Sequence, residues 1–329
     1  MRQFFNFNYK FIIFFICTVL ILTYPMPYII SNGGGISDLS TKFVIENSYK
    51  SKGSFNLSYV SQVDATVSNY IISLFFPSWE REKASDYQVV STETIEDINT
   101  RSRLMLKMAN QYSVINAYEK AGKEVNITNS NYYIMYILNN KIKKIKIGDI
   151  IKSVNGAEIK NFSTVREEVE KSGKVTVTVL RDDKEITEEI EVLTNDDGDK
   201  YIGLGCYQVL DYEVKPEIKF TFDYNESGGS AGLMTTLAIY NALVEEDITH
   251  GLKIAGTGTI NFDGSVGEIA GVNHKLDGAV YGNADLFFVP KGDNYEEALK
   301  VKKQKNYNIK IIPVESFEEA LNYLENYKK

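Results

Sequence analysis

Ser227-Gly-Gly-Ser-Ala-Gly232 sets one serine, Ser230, in a glycine-flanked turn directly ahead of an apolar run. Leu233, Leu237, Tyr240 and Val244 follow at spacings of three and four, which return to one face of a helix. A serine in such a turn lies at the positive end of the helix, where the first backbone N–H groups lack intrahelical partners. The chemistry open to it is attack on a carbonyl, with nearby N–H groups holding the developing oxyanion. A plainer role also fits the same residues, because serine is a favoured helix cap. A phosphate-binding loop fits less well, since the chain has no G-x-x-x-x-G-K-[S/T].

A second glycine-rich stretch follows, Gly256-Thr-Gly-Thr-Ile-Asn-Phe-Asp-Gly-Ser-Val-Gly-Glu-Ile-Ala-Gly-Val-Asn-His-Lys275. Together the two stretches resemble the proteolytic domain of Lon-type serine peptidases. That family carries a G-x-S-A-G turn and, further along, a G-x-[I/V]-x-x-I-[G/A]-G-x-x-x-K segment. Here they read Gly228-Gly-Ser-Ala-Gly232 and Gly264-Ser-Val-Gly-Glu-Ile-Ala-Gly-Val-Asn-His-Lys275, with the resemblance running from about Lys219 to Pro290. It implies that Ser230 is the nucleophile and Lys275 the general base. Thr257 falls on a threonine whose hydroxyl supports that lysine. Gly228 and Gly229 form the oxyanion turn, with the Ser230 N–H as one donor. The fuller layout resembles the YlbL/SepM-type, membrane-anchored, PDZ-containing Lon-like proteases of Gram-positive bacteria. Further marks are Gly53-Ser-Phe-Asn-Leu, Ala117-Tyr-Glu-Lys-Ala-Gly122 and Ala255-Gly-Thr-Gly-Thr-Ile260. Two positions depart from the pattern: Gly229 stands where proline is usual, and Ala270-Gly271 where Gly-Gly is usual.

A lysine with an ordinary pKa near 10.4 is protonated and useless as a base. Burial in an apolar pocket disfavours the charge and lowers that value, so a neutral Lys275 accepts the Ser230 proton. Of the two histidines, His250 and His274, the second offers a competing Ser-His-Asp set with Asp263 or Asp277. His274 and Lys275 are adjacent on a helix and point about 100° apart, so both cannot face one serine. The family pattern selects the lysine and leaves both histidines surface or capping roles, with His250 at a helix end.

These groups need a scaffold. Gly53-Ser-Phe-Asn-Leu-Ser-Tyr-Val60 alternates as a strand, and Ile95 to Ala121 reads as a helix stopped by Gly122. From Tyr132 the character changes to β-rich. Ile147-Gly-Asp leads into a strand ending in the Asn155-Gly156 turn. A short helix spans Thr164 to Lys171, with Thr164 and Glu167 as a capping box. A hairpin then runs from Val175 to Val192 around Asp182-Asp-Lys. This order resembles a PDZ domain of the bacterial protease type, which captures an extended peptide on an open sheet edge. The resemblance implies a groove beside Tyr132, Tyr133, Ile134, Met135 and Tyr136. Leu286-Phe-Phe-Val-Pro290 and Ile309 to Val314 read as buried strands, and Ser316 to Glu319 as the box opening a last helix.

At the other end, Phe11 to Ile30 carries no charge and is long enough for a helix to cross a bilayer. Arg2 and Lys10 precede it, which predicts a cytoplasmic tail over residues 1–10 and an extracellular bulk. A cleaved signal peptide is the competing reading, with Ser31-Asn-Gly33 a weak cleavage site. Gly33-Gly-Gly35 reads as a hinge after the membrane.

The chain's 329 residues suit about two domains. With 43% hydrophobic and 24% charged residues it is globular in composition. A net charge of −8 speaks against nucleic acid as a partner. Two cysteines and two histidines supply no zinc-type ligand set, so no metal or cofactor is expected. Cys17 lies in the apolar segment and Cys206 far from it, so no disulfide is expected.

The expected fold is α+β: a Lon proteolytic domain of the ribosomal protein S5 domain 2-like kind with an inserted PDZ domain, after one N-terminal transmembrane helix. The layout is a transmembrane helix over 11–30, the front of the protease domain over 38–130, the PDZ domain over 131–195 and the catalytic domain over 196–329. The expected activity is an ATP-independent serine endopeptidase at the outer face of the membrane, cutting extended peptides or membrane-protein segments. A homo-oligomer is expected by resemblance. The alternative is a non-catalytic peptide-binding scaffold, favoured only by Gly229.

Overall fold

In the computed structural model, which describes residues 2–327 and the side chains from residue 9 onward, the apolar N-terminus forms α1 (Arg2–Leu22). The helix does not reach Ile30 as expected. Pro25 drives the residue before it out of the α region, and the chain continues as β1 (Pro25–Asp38). Ile29 and Ile30 are buried in that strand. The transmembrane helix over 11–30 is therefore corrected: among the described residues no helix is long and apolar enough to cross a membrane. Residues 2–10, expected as a tail, belong to α1, and Met1 lies outside the described residues.

Gly33 to Gly35 are not a hinge but the middle of β1. After β2 (Phe43–Ile45) comes β3 (Ser54–Thr66), which pairs antiparallel with β1, setting Gly33 opposite Val60 and Gly35 opposite Tyr59. Tyr59 lies over these glycines, and a Cβ on Gly34 would stand 2.4 Å from its ring. Then come α2 (Val67–Ser73), β4 (Glu80–Lys83) and the long α3 (Ile95–Lys120). Thr94 and Asp97 form a capping box at the start of α3, and Gly122 ends it at a φ of +65°.

A second body follows. It contains β5 (Val125–Ile137), β6 (Ile150–Val154), β7 (Ala157–Glu158), α4 (Phe162–Lys171), β8 (Lys174–Arg181), β9 (Lys184–Glu191), β10 (Leu193–Thr194), β11 (Lys200–Tyr201) and β12 (Leu204–Val214). Its main sheet has the order β12-β5-β6-β8-β9. Ile134, Ile151, Val177 and Ile190 fill a core of its own. The sheet runs on to Val214 instead of ending at 195, because β12 returns along the full length of β5. The turn at Asn155-Gly156 forms, both residues having positive φ. The box at Thr164 does not: Asn161 caps α4 and accepts the Thr164 N–H. Asp149 of the Ile-Gly-Asp stretch is buried and held by Arg181 Nε at 2.6 Å, so it fixes a turn.

The chain then rejoins the first body through β13 (Ile218–Phe220), which pairs with β2. The remainder alternates: α5 (Gly232–Leu243), β14 (Lys253–Gly256), α6 (Val272–Tyr281), β15 (Leu286–Pro290), α7 (Asp293–Lys305), β16 (Lys310–Val314) and α8 (Phe317–Glu325). Parallel strands with helical crossovers are the natural packing of such alternation. The sheet order is β16-β15-β14-β3-β1-β4, with β14 parallel to both β15 and β3. The N-terminal strands thus complete a sheet begun by C-terminal ones. One core joins Leu39, Phe55 and Tyr118 to Leu233, Ile254 and Phe288.

Candidate active site

Ser230 sits in the turn before α5, half-buried. Gly228 takes a φ of +89°, open to glycine without strain, and donates its N–H to the Ser102 carbonyl of α3 at 2.8 Å. It is therefore not free to serve the oxyanion, contrary to expectation. Among the described residues the N–H groups of Gly229, Ser230 and Ala231 have no acceptor. They lie where a helix start leaves donors unsatisfied.

The segment leaving β14 locks this turn in place. The Ser230 carbonyl accepts both the Gly258 N–H, at 2.9 Å, and the Thr257 hydroxyl, at 3.1 Å. Leu233 N–H returns a bond to the Gly258 carbonyl at 3.1 Å. Gly232 is required by the same approach, since a Cβ there would stand 2.6 Å from Ile260 Cγ2. Thr257 is fully buried. Its hydroxyl thus holds the backbone of the serine; the expected bond to the lysine amine is not what it makes.

Lys275 lies in the first turns of α6, 5% exposed. Its amine makes no hydrogen bond or ion pair among the described residues, and desolvation by burial pushes its pKa down to about 8. What lets this helix lie so close to the sheet is Gly278. A Cβ on Gly278 would stand 2.7 Å from the Gly35 carbonyl oxygen, and one on Gly33 would meet Asp277 Cβ at 3.7 Å. Sequence reasoning missed this pairing. The available signal was a glycine inside a helix, which costs about 1 kcal/mol against alanine and so implies a packing reason.

The competing triad does not assemble. Asp277 is occupied by Lys305 Nζ at 2.6 Å and by the Tyr307 hydroxyl at 2.8 Å. His274 is buried, not on the surface as expected, with Nε2 3.1 Å from the Glu80 carboxylate of β4 but without hydrogen-bond alignment. His250 behaves as expected of a residue at a helix end, with Nε2 2.8 Å from the Leu324 carbonyl in the last turn of α8. Asp263 is engaged by Ser265, whose hydroxyl donates to it at 2.6 Å.

Tyr132 to Tyr136 do not form an open edge. They lie in β5, paired with β12 on one side; Tyr132 and Tyr133 also pair with β6 on the other. Ile134 and Met135 are buried. The sheet's outer strand there is β12. Cys206 lies in β12 as a free thiol, its pKa pushed up to about 12 by burial, and Cys17 is free and exposed.

Residues 224–325 match the Lon protease (S16) C-terminal proteolytic domain. Ser230, Thr257 and Lys275 all fall inside that Lon-type segment. It is 33% identical over 99 residues to a Lon protease of Metamycoplasma arthritidis, covering 30% of this chain and 12% of that protein. It is 30% identical over 95 residues to an archaeal Lon protease of Halobacterium salinarum, covering 29% of this chain and 13% of the relative. The matches therefore span a small fraction of the relatives' length. The Lon-type segment supports a serine peptidase. Among solved structures, the PDZ domain of an SdrC-like protein from Listeria monocytogenes aligns with 19% identity and a TM-score of 0.22, covering 24% of this chain and 90% of that one.

Proposed function

We propose that this chain is an ATP-independent serine endopeptidase working through Ser230 and Lys275. The observation that carries the reading is Lys275: a buried amine with no counter-ion among the described residues, its pKa lowered to about 8 by desolvation, in a segment that matches a Lon-type proteolytic domain. Such an amine is a base near neutral pH. In the proposed reaction neutral Lys275 takes the Ser230 hydroxyl proton while the oxygen adds to the substrate carbonyl. The N–H groups of Ser230 and Gly229 receive the oxyanion. The lysine then returns the proton to the leaving amine, giving an acyl-enzyme, and water activated by the same amine releases the acid. Thr257 keeps the nucleophile's backbone in register.

The proposed substrates are extended peptides or membrane-protein segments on the outer side of the cell membrane. We read α1 as the part that holds the protein to lipid, because its apolar side chains are exposed and the folded body gives them little cover. The body containing β5 to β12 is proposed to act as a PDZ domain that positions substrate. A homo-oligomer belongs to the same proposal.

The test is cleavage of a diverse unstructured-peptide library by the full chain, beside Ser230→Ala and Lys275→Ala, across pH. Cleavage lost in both variants, and rising in the wild type as the amine deprotonates, supports the reading. Equal cleavage in all three proteins overturns it.

A further inference from the structure

The end of α2 and the turn that follows it form an exposed apolar surface on the folded body. Ile71, Ile72, Leu74, Phe75 and Phe76 are all exposed, Phe75 to 77%, and Phe76 stacks on Trp79 with centroids 4.8 Å apart. No charged residue occurs from Val67 to Trp79. The surface is rigidly built. Thr66 and Asn69 cap α2 reciprocally, and Arg81 donates to the Ser73 carbonyl at 2.9 Å and the Trp79 carbonyl at 3.3 Å. It also adjoins the chain leaving α1, and α1 itself packs against α2: the Val67 N–H bonds the Tyr24 carbonyl at 3.1 Å, and the rings of Tyr28 in β1 and Tyr70 lie 5.0 Å apart.

We propose that residues 70–79 are a second lipid contact, lying in the headgroup–acyl boundary of the bilayer that holds α1. The occupant follows from α1 itself. Five successive residues, Phe11 to Phe15, are all between 43% and 68% exposed. Successive helical residues point about 100° apart, so the exposed apolar surface goes all the way round. A protein partner covers one stripe of a helix, whereas lipid covers apolar side chains on more than one side without the helix having to cross the bilayer. The turn continues that surface, and its Trp and Phe side chains suit the interface. The inference rests on α1 being held in lipid.

Its consequence concerns the substrate. Trp79 is followed by Glu80, whose carboxylate accepts a bond from Asn273 Nδ2 at 3.1 Å and approaches His274, both on α6 beside Lys275. A turn fixed at the lipid surface thereby holds the lysine's helix close to it. Extended segments emerging from the bilayer are the substrates within reach.

Trp79 is the chain's single tryptophan, so its emission reports this turn alone. The full chain is reconstituted into phosphatidylglycerol–phosphatidylethanolamine vesicles, with and without phosphatidylcholine brominated in the acyl chain, and floated through a density gradient. With the indole roughly 5–10 Å deep, bromolipid is expected to remove roughly half of the emission of floated protein. The Phe75→Ser/Phe76→Ser variant is expected to float equally but to lose most of that quenching. Protein that floats with Trp79 unquenched overturns the second contact while leaving α1 in lipid. Protein that does not float overturns the α1 reading, and this inference with it. A blue-shifted, concentration-dependent emission that bromolipid does not quench assigns the patch to a second copy of the chain and overturns the proposal.

Discussion

Replacing Lys275 by methionine removes a buried charge while keeping the length and most of the apolar stem of the side chain. The folded protein lowers the amine's pKa from its ordinary value, 10.5, to about 8, a difference equivalent to about 3 kcal/mol. The sign follows from proton counting. Between about pH 8 and 10.5 the unfolded chain binds a proton that the folded chain does not, so stability rises with pH across that window. Below pH 8 the full penalty applies; above 10.5 it is gone. Lys275→Met is therefore expected to be more stable than wild type by roughly 2–3 kcal/mol at pH 7, with the gap closing between pH 8 and 10.5. The assay is urea denaturation of both proteins at a series of pH values, taking the difference so that groups common to both cancel. Equal stabilities at pH 7, or parallel profiles up to pH 11, would refute the burial of an unpaired amine. Against a typical stability of roughly 5–15 kcal/mol, a penalty of this size is a substantial sacrifice at one position. The same titration governs the proposed activity. At pH 7 roughly one molecule in ten carries the neutral amine, so kcat/KM is expected to rise about tenfold and level off above pH 9.

Other outcomes follow from the same geometry. Ser230→Ala is expected to keep the wild-type melting temperature and lose peptide cleavage by at least about a thousandfold; residual turnover near wild type would point to another nucleophile. Thr257→Val preserves the side chain's shape but deletes the bond to the Ser230 carbonyl. It should cost about 1 kcal/mol in denaturant titration and lower kcat more than it changes KM. In Gly278→Val the new side chain meets the Gly35 carbonyl, since even the Cβ lies 2.7 Å away. A loss of about 1–3 kcal/mol is expected, with lowered cleavage as α6 is displaced, and an unaltered melting curve would contradict the close approach. Arg101→Met strands the buried Glu93 carboxylate of the Arg101–Glu93 pair and should cost about 3–5 kcal/mol, read by thermal unfolding.

The candidate nucleophile and base could be named from the sequence because they lie in local signals. The glycine turn around Ser230, the apolar stripe of α5 and the spacing to Lys275 are each properties of short segments, and α3, α5, β15, β16 and α8 form close to where periodicity puts them. The caps were only partly legible. Ser316 accepts the Glu319 N–H as expected, but Glu319 bonds the Glu315 N–H and so completes no reciprocal box there.

Long-range partners decided the rest. Gly33 to Gly35 have the composition of a flexible linker. They run as a strand paired with β3, where the Tyr59 ring leaves no room for a side chain on Gly34 and Gly278 of α6 approaches the Gly35 carbonyl. Residues 25–30 continue an apolar run and yet leave the helix, since pairing with β3 and β4 satisfies their backbone. Tyr132 to Tyr136 have the pattern of a capture strand, and it is β12, about seventy residues later, that covers them. Residue types and local spacing singled out the candidates for nucleophile and base. Only the tertiary structure decided that the lysine would be buried and without a partner among the described residues, because desolvation is supplied by neighbours that no local window contains.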